Sequence, residues 1–178
     1  QNIDGIKFKS KMKEYYAKAG VPTARYHLVD TLENGLAFVK DAGYPVIVKP
    51  DNGVGAAATY KLKNEDEVRD FYNNLPEVQY VMEEFINAEI YSYDAIIDSK
   101  GEPIFEAGNV TPFSLMDVVN NNDNSVYYIV KELKDDVRKA GRATVKSFGV
   151  KSRFVHFEFF RLLSDHDGLG KKGAVMSL

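Results

Sequence analysis

Three short groups of residues carry the side chains from which chemistry could be built. The first is "PVIVKPDNGVGAAATY", Pro45–Tyr60. A β-rich run delivers Lys49 into a loop of small residues that includes Gly53 and Gly55. Small residues let backbone N–H groups approach a ligand closely. An ammonium at a strand end is costly to desolvate unless an anion or a carboxylate meets it. The pattern suits a polyphosphate; it also suits a hairpin whose lysine simply leaves the sheet for solvent. It is not a P-loop, because no G-x-x-x-x-G-K-[ST] is present and the loop leads into a strand.

The second group is "YVMEEFINAE", Tyr80–Glu89. A strand ends in Glu83 and Glu84, then come Phe85, Ile86, a polar bend and Glu89. An extended connector of this kind offers backbone N–H and C=O groups to a base edge, and Glu89 can accept from sugar hydroxyls; the alternative is a solvated acidic turn. The third group is "RFVHFEFFRL", in which Phe154, His156, Glu158 and Phe160 share one strand face. A carboxylate among phenylalanines needs a partner, either a hard cation or His156 itself. His27 and His166 have no ligand spacing. "DHDGLG" imitates a calcium loop, but position 12 counted from Asp165 is Met176 rather than Glu, so it reads as a hairpin turn.

The elements that must position these groups follow from periodicity and turn chemistry. Phe8, Met12, Tyr15 and Ala19 predict a first helix that Gly20 stops. A short strand is expected near Tyr26–Val29. Asp30 with Glu33 predicts a capping box for a helix carrying Leu32, Leu36 and Val39 and ending at Gly43. Strands are expected at Val46–Lys49 and Ala57–Leu62. A helix opened by Asn64 and Glu67 follows, then a strand through "QYVMEEFI". "EIYSYDAIID" and "EPIFEAGNV" read as a hairpin. Thr111–Asn124 reads as a loop. Val126, Ile129, Val130, Leu133, Val137, Ala140, Thr144 and Phe148 predict one long amphipathic helix that Gly149 caps. A strand through "SRFVHFEFFRLL" and a terminal strand in "AVMSL" complete an α+β pattern. The expected organisation is an N-terminal helix over 1–20, one lobe over 21–84 and a second lobe over 85–178.

The chain has 178 residues, enough for one domain or two small subdomains, and 44% of them are apolar. A formal charge of −3 gives no case for nucleic-acid or anionic-membrane binding, so any anion site must be local. The absence of cysteine excludes disulfides and thiolate metal sites. No run approaches about 18 apolar residues, and "QNIDGIKFKS" is not a signal peptide. A cytoplasmic location is the expectation.

Taken together, "AGVPTARY", "AGYPVIVKPDNGVGA", "YVMEEFINAEIYSYD" and "GVKSRFVHFEFF", in this order and spacing, resemble the ATP-grasp superfamily in its carbamoyl-phosphate synthase and biotin carboxylase branch. The resemblance implies two small mixed lobes with ATP between them. It places the two ATP lysines at Lys9 and Lys49, the mobile glycine loop at Asp51–Ala58 with Gly53 and Gly55, the adenine hinge at Glu83, Glu84, Phe85 and Ile86, and the ribose acid at Glu89. Glu158 becomes the magnesium carboxylate, with manganese as a substitute ion, and Arg161 and His156 border the substrate or phosphates. The implied reaction is ligation: ATP phosphorylates a carboxylate, and an amine or thiol displaces the phosphate. The partners implied are small-molecule carboxylates and amines and the other domains of a parent chain, with no nucleic acid and no membrane. The family completes its metal site with an "E-x-N-x-R" pattern on the strand that "AVMSL" begins, so this chain is expected to be a core excised from a larger enzyme and inactive alone. The alternative is a nucleotide-binding regulatory module without catalysis.

Overall fold

The computed structural model describes residues 4–53, 58–112 and 126–178. Val48 and Val46 point the same way along a five-residue strand and are wholly buried, while Ile47 and Lys49 take the other side. This alternation fixes the first sheet. Its strands are β1 (Tyr26–Leu28), β2 (Val46–Pro50), β3 (Tyr60–Leu62) and β4 (Tyr80–Glu84), ordered β1-β4-β2-β3 and antiparallel throughout. Helices α3 (Leu32–Ala42) and α4 (Glu65–Asn73) cover the valine face, where Val39, Leu62, Val68, Tyr80 and Met82 close the core.

The two caps differ in how sequence encodes them. Asn64 accepts from the Glu67 amide at 2.9 Å, and Glu67 reaches back to the Lys63 amide at 2.8 Å, as expected. The Asp30–Glu33 box does not form. Thr31 is the N-cap of α3 and accepts from the Asn34 amide, while Asp30 accepts from the Thr31 amide. The cap therefore sits one residue later than the acid suggested.

The first helix is split. Residues Asp4–Lys7 form α1 and Lys9–Lys18 form α2, with Phe8 extended between them and bridged to Asn52. Docking of this backbone against the end of β2 breaks the helical run that the apolar spacing predicted.

The second sheet contains β5 (Ala88–Ile97), β6 (Pro103–Ala107), β7 (Asn109–Thr111), β8 (Tyr128–Ile129), β9 (Arg153–Leu162) and β10 (Val175–Ser177). It runs β10-β9-β5-β7-β8, with β6 also on β5. Helix α5 (Asp135–Ser147) covers one face, so that Val137 and Val145 pack on Tyr93, Ala95 and Phe159, and Tyr16 and Val21 join from the α2 side. Burial of Phe159 is worth about 2–3 kcal/mol. The expected long helix from Val126 is not formed. Tyr128 and Ile129 pair instead with Val110 and Asn109, leaving Ile129 75% exposed, and the helix begins at Asp135. Satisfying the open edge of β7 outweighs a helical pattern whose early apolar positions find no core. The expected loop over Thr111–Asn124 lies outside the described residues except for Thr111, which ends β7, and Pro112. Among the described residues, no helix is long and apolar enough to cross a membrane.

Candidate functional site

The outer face of the first sheet carries a compact charge cluster. The Lys49 ammonium on β2 lies 2.7 Å from Glu83 Oε2 on β4. Register explains the contact: Glu83 stands opposite Ile47, so Lys49 is its diagonal neighbour on the same face. A second ammonium, Lys13 from α2, lies 2.9 Å from Glu83 Oε1. Lys13 also donates to the Ala24 carbonyl at 3.4 Å and stands 5.2 Å from the centre of the Tyr26 ring. Burial works to raise the Glu83 carboxyl, but the Lys49 and Lys13 ammoniums outweigh it and hold the group well below the usual carboxylate range. Burial pushes the Lys13 ammonium below the ordinary lysine value.

Lys9 completes the cluster. Its ammonium donates to the carbonyls of Pro50 at 2.7 Å and Gly53 at 3.0 Å, so it braces the start of the small-residue loop. Burial, joined by repulsion from Lys49, pushes its pKa down. Asp51 is buried beneath it and takes the Ser10 amide and hydroxyl. Three ammoniums thus face two carboxylates at the ends of β2 and β4, and that excess of positive charge fits an anion. Gly55 and half of the expected lid, residues 54–57, lie outside the described residues.

The remaining hinge residues separate. Glu84 alternates to the other face of β4, where the Arg25 amide and guanidinium hold both its oxygens at 2.7–2.8 Å. Its side chain is a tie between β4 and the segment before β1. The Lys61 ammonium sits 4.0 Å from the centre of the Phe85 ring. Ile86 is buried with Ala24, Leu162 and Met176, and Phe160 packs beside them. These residues make an apolar floor where β4 passes to β5.

In the second sheet, Glu158 and Arg161 lie three residues apart on β9 and so point to opposite faces. Arg161 stands opposite Glu89 in register and contacts Asp136 of α5 at 3.3 Å. Glu158 shares its face with His156. The His156 Nδ1 lies 2.6 Å from Asp94 Oδ1 and its Nε2 lies 3.6 Å from Glu158 Oε1. The Glu158 carboxylate, joined by Asp94 and opposed by burial, raises His156 to about 9. The imidazole is therefore a cation at neutral pH, paired with Asp94 and facing Glu158 as its counter-ion. Leu178 donates its amide to the Glu158 carbonyl at 3.2 Å, so an apolar residue stands across from this carboxylate. Among the described residues no group of three or more His, Asp or Glu could hold a metal. Glu158 fits a magnesium ion as one carboxylate of an octahedral oxygen set.

Sequence reasoning missed Lys13 and Asp51. Lys13 had a legible signal: it falls one helical turn after Lys9 and three residues before the buried Tyr16, on the inward face of α2.

Comparison with known proteins bears on this geometry. Residues 4–99 match the family described as carbamoyl-phosphate synthase L chain, ATP binding domain. The chain is 32% identical over 100 residues to a phosphoribosylamine–glycine ligase of Xanthomonas axonopodis pv. citri, a match covering 52% of this chain and 23% of the relative. The chain thus spans less than a quarter of that relative's length. Among solved structures, it resembles the biotin carboxylase domain of the Hydrogenobacter thermophilus 2-oxoglutarate carboxylase in complex with MgADP, ADP and bicarbonate. There the TM-score is 0.73 at 21% identity, covering 98% of this chain and 40% of that one. It also resembles the ATP-grasp ligase PsnB complexed with a precursor variant, Mg and ADP, at a TM-score of 0.68 and 18% identity, covering 96% of this chain and 48% of that one.

Proposed function

Because the chain belongs to the family of the carbamoyl-phosphate synthase L chain ATP-binding domain and has the ATP-grasp fold, we propose that it is the Mg-ATP-binding core of an ATP-dependent carboxylate–amine or carboxylate–thiol ligase. The observation that carries this reading is the cluster of Lys9, Lys13 and Lys49 around Glu83 and Asp51, beside a loop of small residues. Lys49 and Lys9 hold the phosphates. The backbone of Glu83–Ile86 takes the base edge over the floor of Ile86 and Phe160, and Glu158 takes the magnesium ion; Glu89, opposite Arg161 on the α5 face of β5, stands on the other side of the sheet and is left out of the ribose contact. ATP supplies the phosphoryl group that activates an acceptor carboxylate. In this reading the residues of this chain position the reactants and neutralise charge and form no covalent bond.

The test is calorimetry with ADP and magnesium on the wild type and on Lys49→Gln. The variant is expected to lose about 1.5–3 kcal/mol of binding, the range of a charge-assisted hydrogen bond, while circular dichroism stays unchanged. Equal affinities would remove Lys49 from the site. A second reading, a nucleotide-binding module without catalysis, is favoured by one observation: His156 already neutralises Glu158. Phosphate release that depends on an added carboxylate, measured in the parent protein, separates the two.

A further inference from the structure

Glu83 is a buried carboxylate with a cation on each oxygen, and the two cations are not equivalent. Lys49 has 15% of its side chain exposed and reaches Glu83 from the strand end beside the small-residue loop. Lys13 has 6% exposed and is anchored on three sides: by Glu83, by the Ala24 carbonyl and by the Tyr26 ring. The helix that carries it is pinned to β2 through Asp51, whose carboxylate takes the Ser10 amide and hydroxyl and whose carbonyl takes the Lys9 amide. One cation is therefore placed to move and the other is held.

This matters because Lys49 cannot serve two anions at full strength. To meet phosphate oxygens, its ammonium must loosen from Glu83. A buried carboxylate stripped of its cation is strongly unfavourable. With Glu83 as its sole partner, Lys49 would be trapped in a closed ion pair. Lys13 removes that obstacle, because Glu83 keeps a cation at 2.9 Å when Lys49 turns away.

Resting on the nucleotide reading above, we propose that Lys13 is a positioning residue: it is the resident counter-ion of Glu83, and it releases Lys49 from Glu83 to bind phosphate. Lys13 touches no phosphate in this scheme. It acts through Glu83 on the freedom of Lys49.

The experiment uses the whole chain with two readouts. The first is calorimetric affinity for ADP with magnesium in the wild type, Lys13→Met, Lys13→Gln, Glu83→Gln and the Lys13→Met/Glu83→Gln double variant. The glutamine variant at position 13 keeps a hydrogen bond to Glu83 without charge and serves if the methionine variant does not fold. Either single change at Lys13 is expected to weaken ADP at least tenfold. The double variant is expected to return to within about threefold of Glu83→Gln alone, since Lys49 then has no carboxylate to hold it. A lysine that only packed α2 would alter the melting temperature, leave ADP affinity near the wild-type value and show no rescue, and that result overturns the proposal. The second readout is acetylation of the Lys49 amine by acetic anhydride without nucleotide, followed by mass spectrometry. It should slow at least threefold in Lys13→Met and exceed the wild-type rate in the double variant. An unchanged labelling rate in both also overturns the proposal. If the wild type binds no ADP, the nucleotide reading falls, and the labelling result still judges the coupling of Lys13 to Lys49 through Glu83.

Discussion

Asp51 Oδ1 accepts the Ser10 amide at 2.7 Å, and its Oδ2 accepts the Ser10 hydroxyl at 2.9 Å. One side chain at the end of β2 thereby caps the first turn of α2, some forty residues earlier in sequence. The same contact sets where Lys9 and Lys13 stand relative to β2 and β4. Asp51→Ala should cost about 1–3 kcal/mol, combining loss of a cap with loss of charged, buried hydrogen bonds. Urea denaturation measures this. Ser10→Ala keeps the amide contact and should cost less; a larger loss there than in Asp51→Ala would contradict the capping role.

Glu106 on β6 gathers the Tyr93 hydroxyl at 2.7 Å and the Arg142 guanidinium, with Arg138 at 3.7 Å. Arg142 first, then Tyr93 and Arg138, outweigh partial burial and lower its pKa below 4.5. A carboxyl whose pKa is depressed on folding stabilises the fold fully above its unfolded pKa and loses that contribution as pH falls through the folded value. Stability should therefore fall on acidification below about pH 4.5. Glu106→Gln should show a shallower acid limb and lower stability at pH 7. Melting temperatures at stepped pH test this, and parallel acid limbs would show that Glu106 does not titrate with folding.

Gly141 lies in α5 where an added Cβ would meet the Tyr93 ring at 2.2 Å. Alanine would gain up to about 1 kcal/mol of helix propensity, but overpacking typically costs about 1–3 kcal/mol. The ring is buried between β5 and α5 with little room to yield, so the clash should win. Gly141→Ala is expected to lower the melting temperature by several degrees. A rise would mean that Tyr93 gives way.

Much of this arrangement was legible because it is local. Alternation along Val46–Lys49 and Phe154–Phe160 assigns strand faces without any knowledge of partners. The same parity rule already separates Glu158 from Arg161, although a resemblance alone groups them around one substrate. What was not legible depends on distant segments. Helical spacing continues back to Val126, and only pairing with β7 decides that Tyr128–Ile129 is a strand. Thr31 takes the cap from Asp30 because both precede Leu32 and the local sequence permits either. Helical spacing puts Lys13 on the inward face of α2, but what it meets there depends on α2 crossing over Tyr26 and Glu83, which lie in other segments.

Glu158 gives the last prediction. Its carboxylate is not free, since the His156 cation lies 3.6 Å away and is itself held by Asp94. Met176 on β10 and Leu178 just after it share its side of the sheet, and neither can ligate a hard cation. The affinity of a magnesium ion at Glu158 should then depend strongly on oxygens from bound nucleotide. The expected result is that magnesium tightens ADP binding to the wild type but not to Glu158→Gln, while ADP alone binds the two about equally. His156→Gln removes the competing cation, leaves Asp94 its Ser92 hydroxyl contact, and should make the magnesium effect larger. If Glu158→Gln keeps the full magnesium effect, the carboxylate serves only as the counter-ion of His156, and the metal is held by the nucleotide without it.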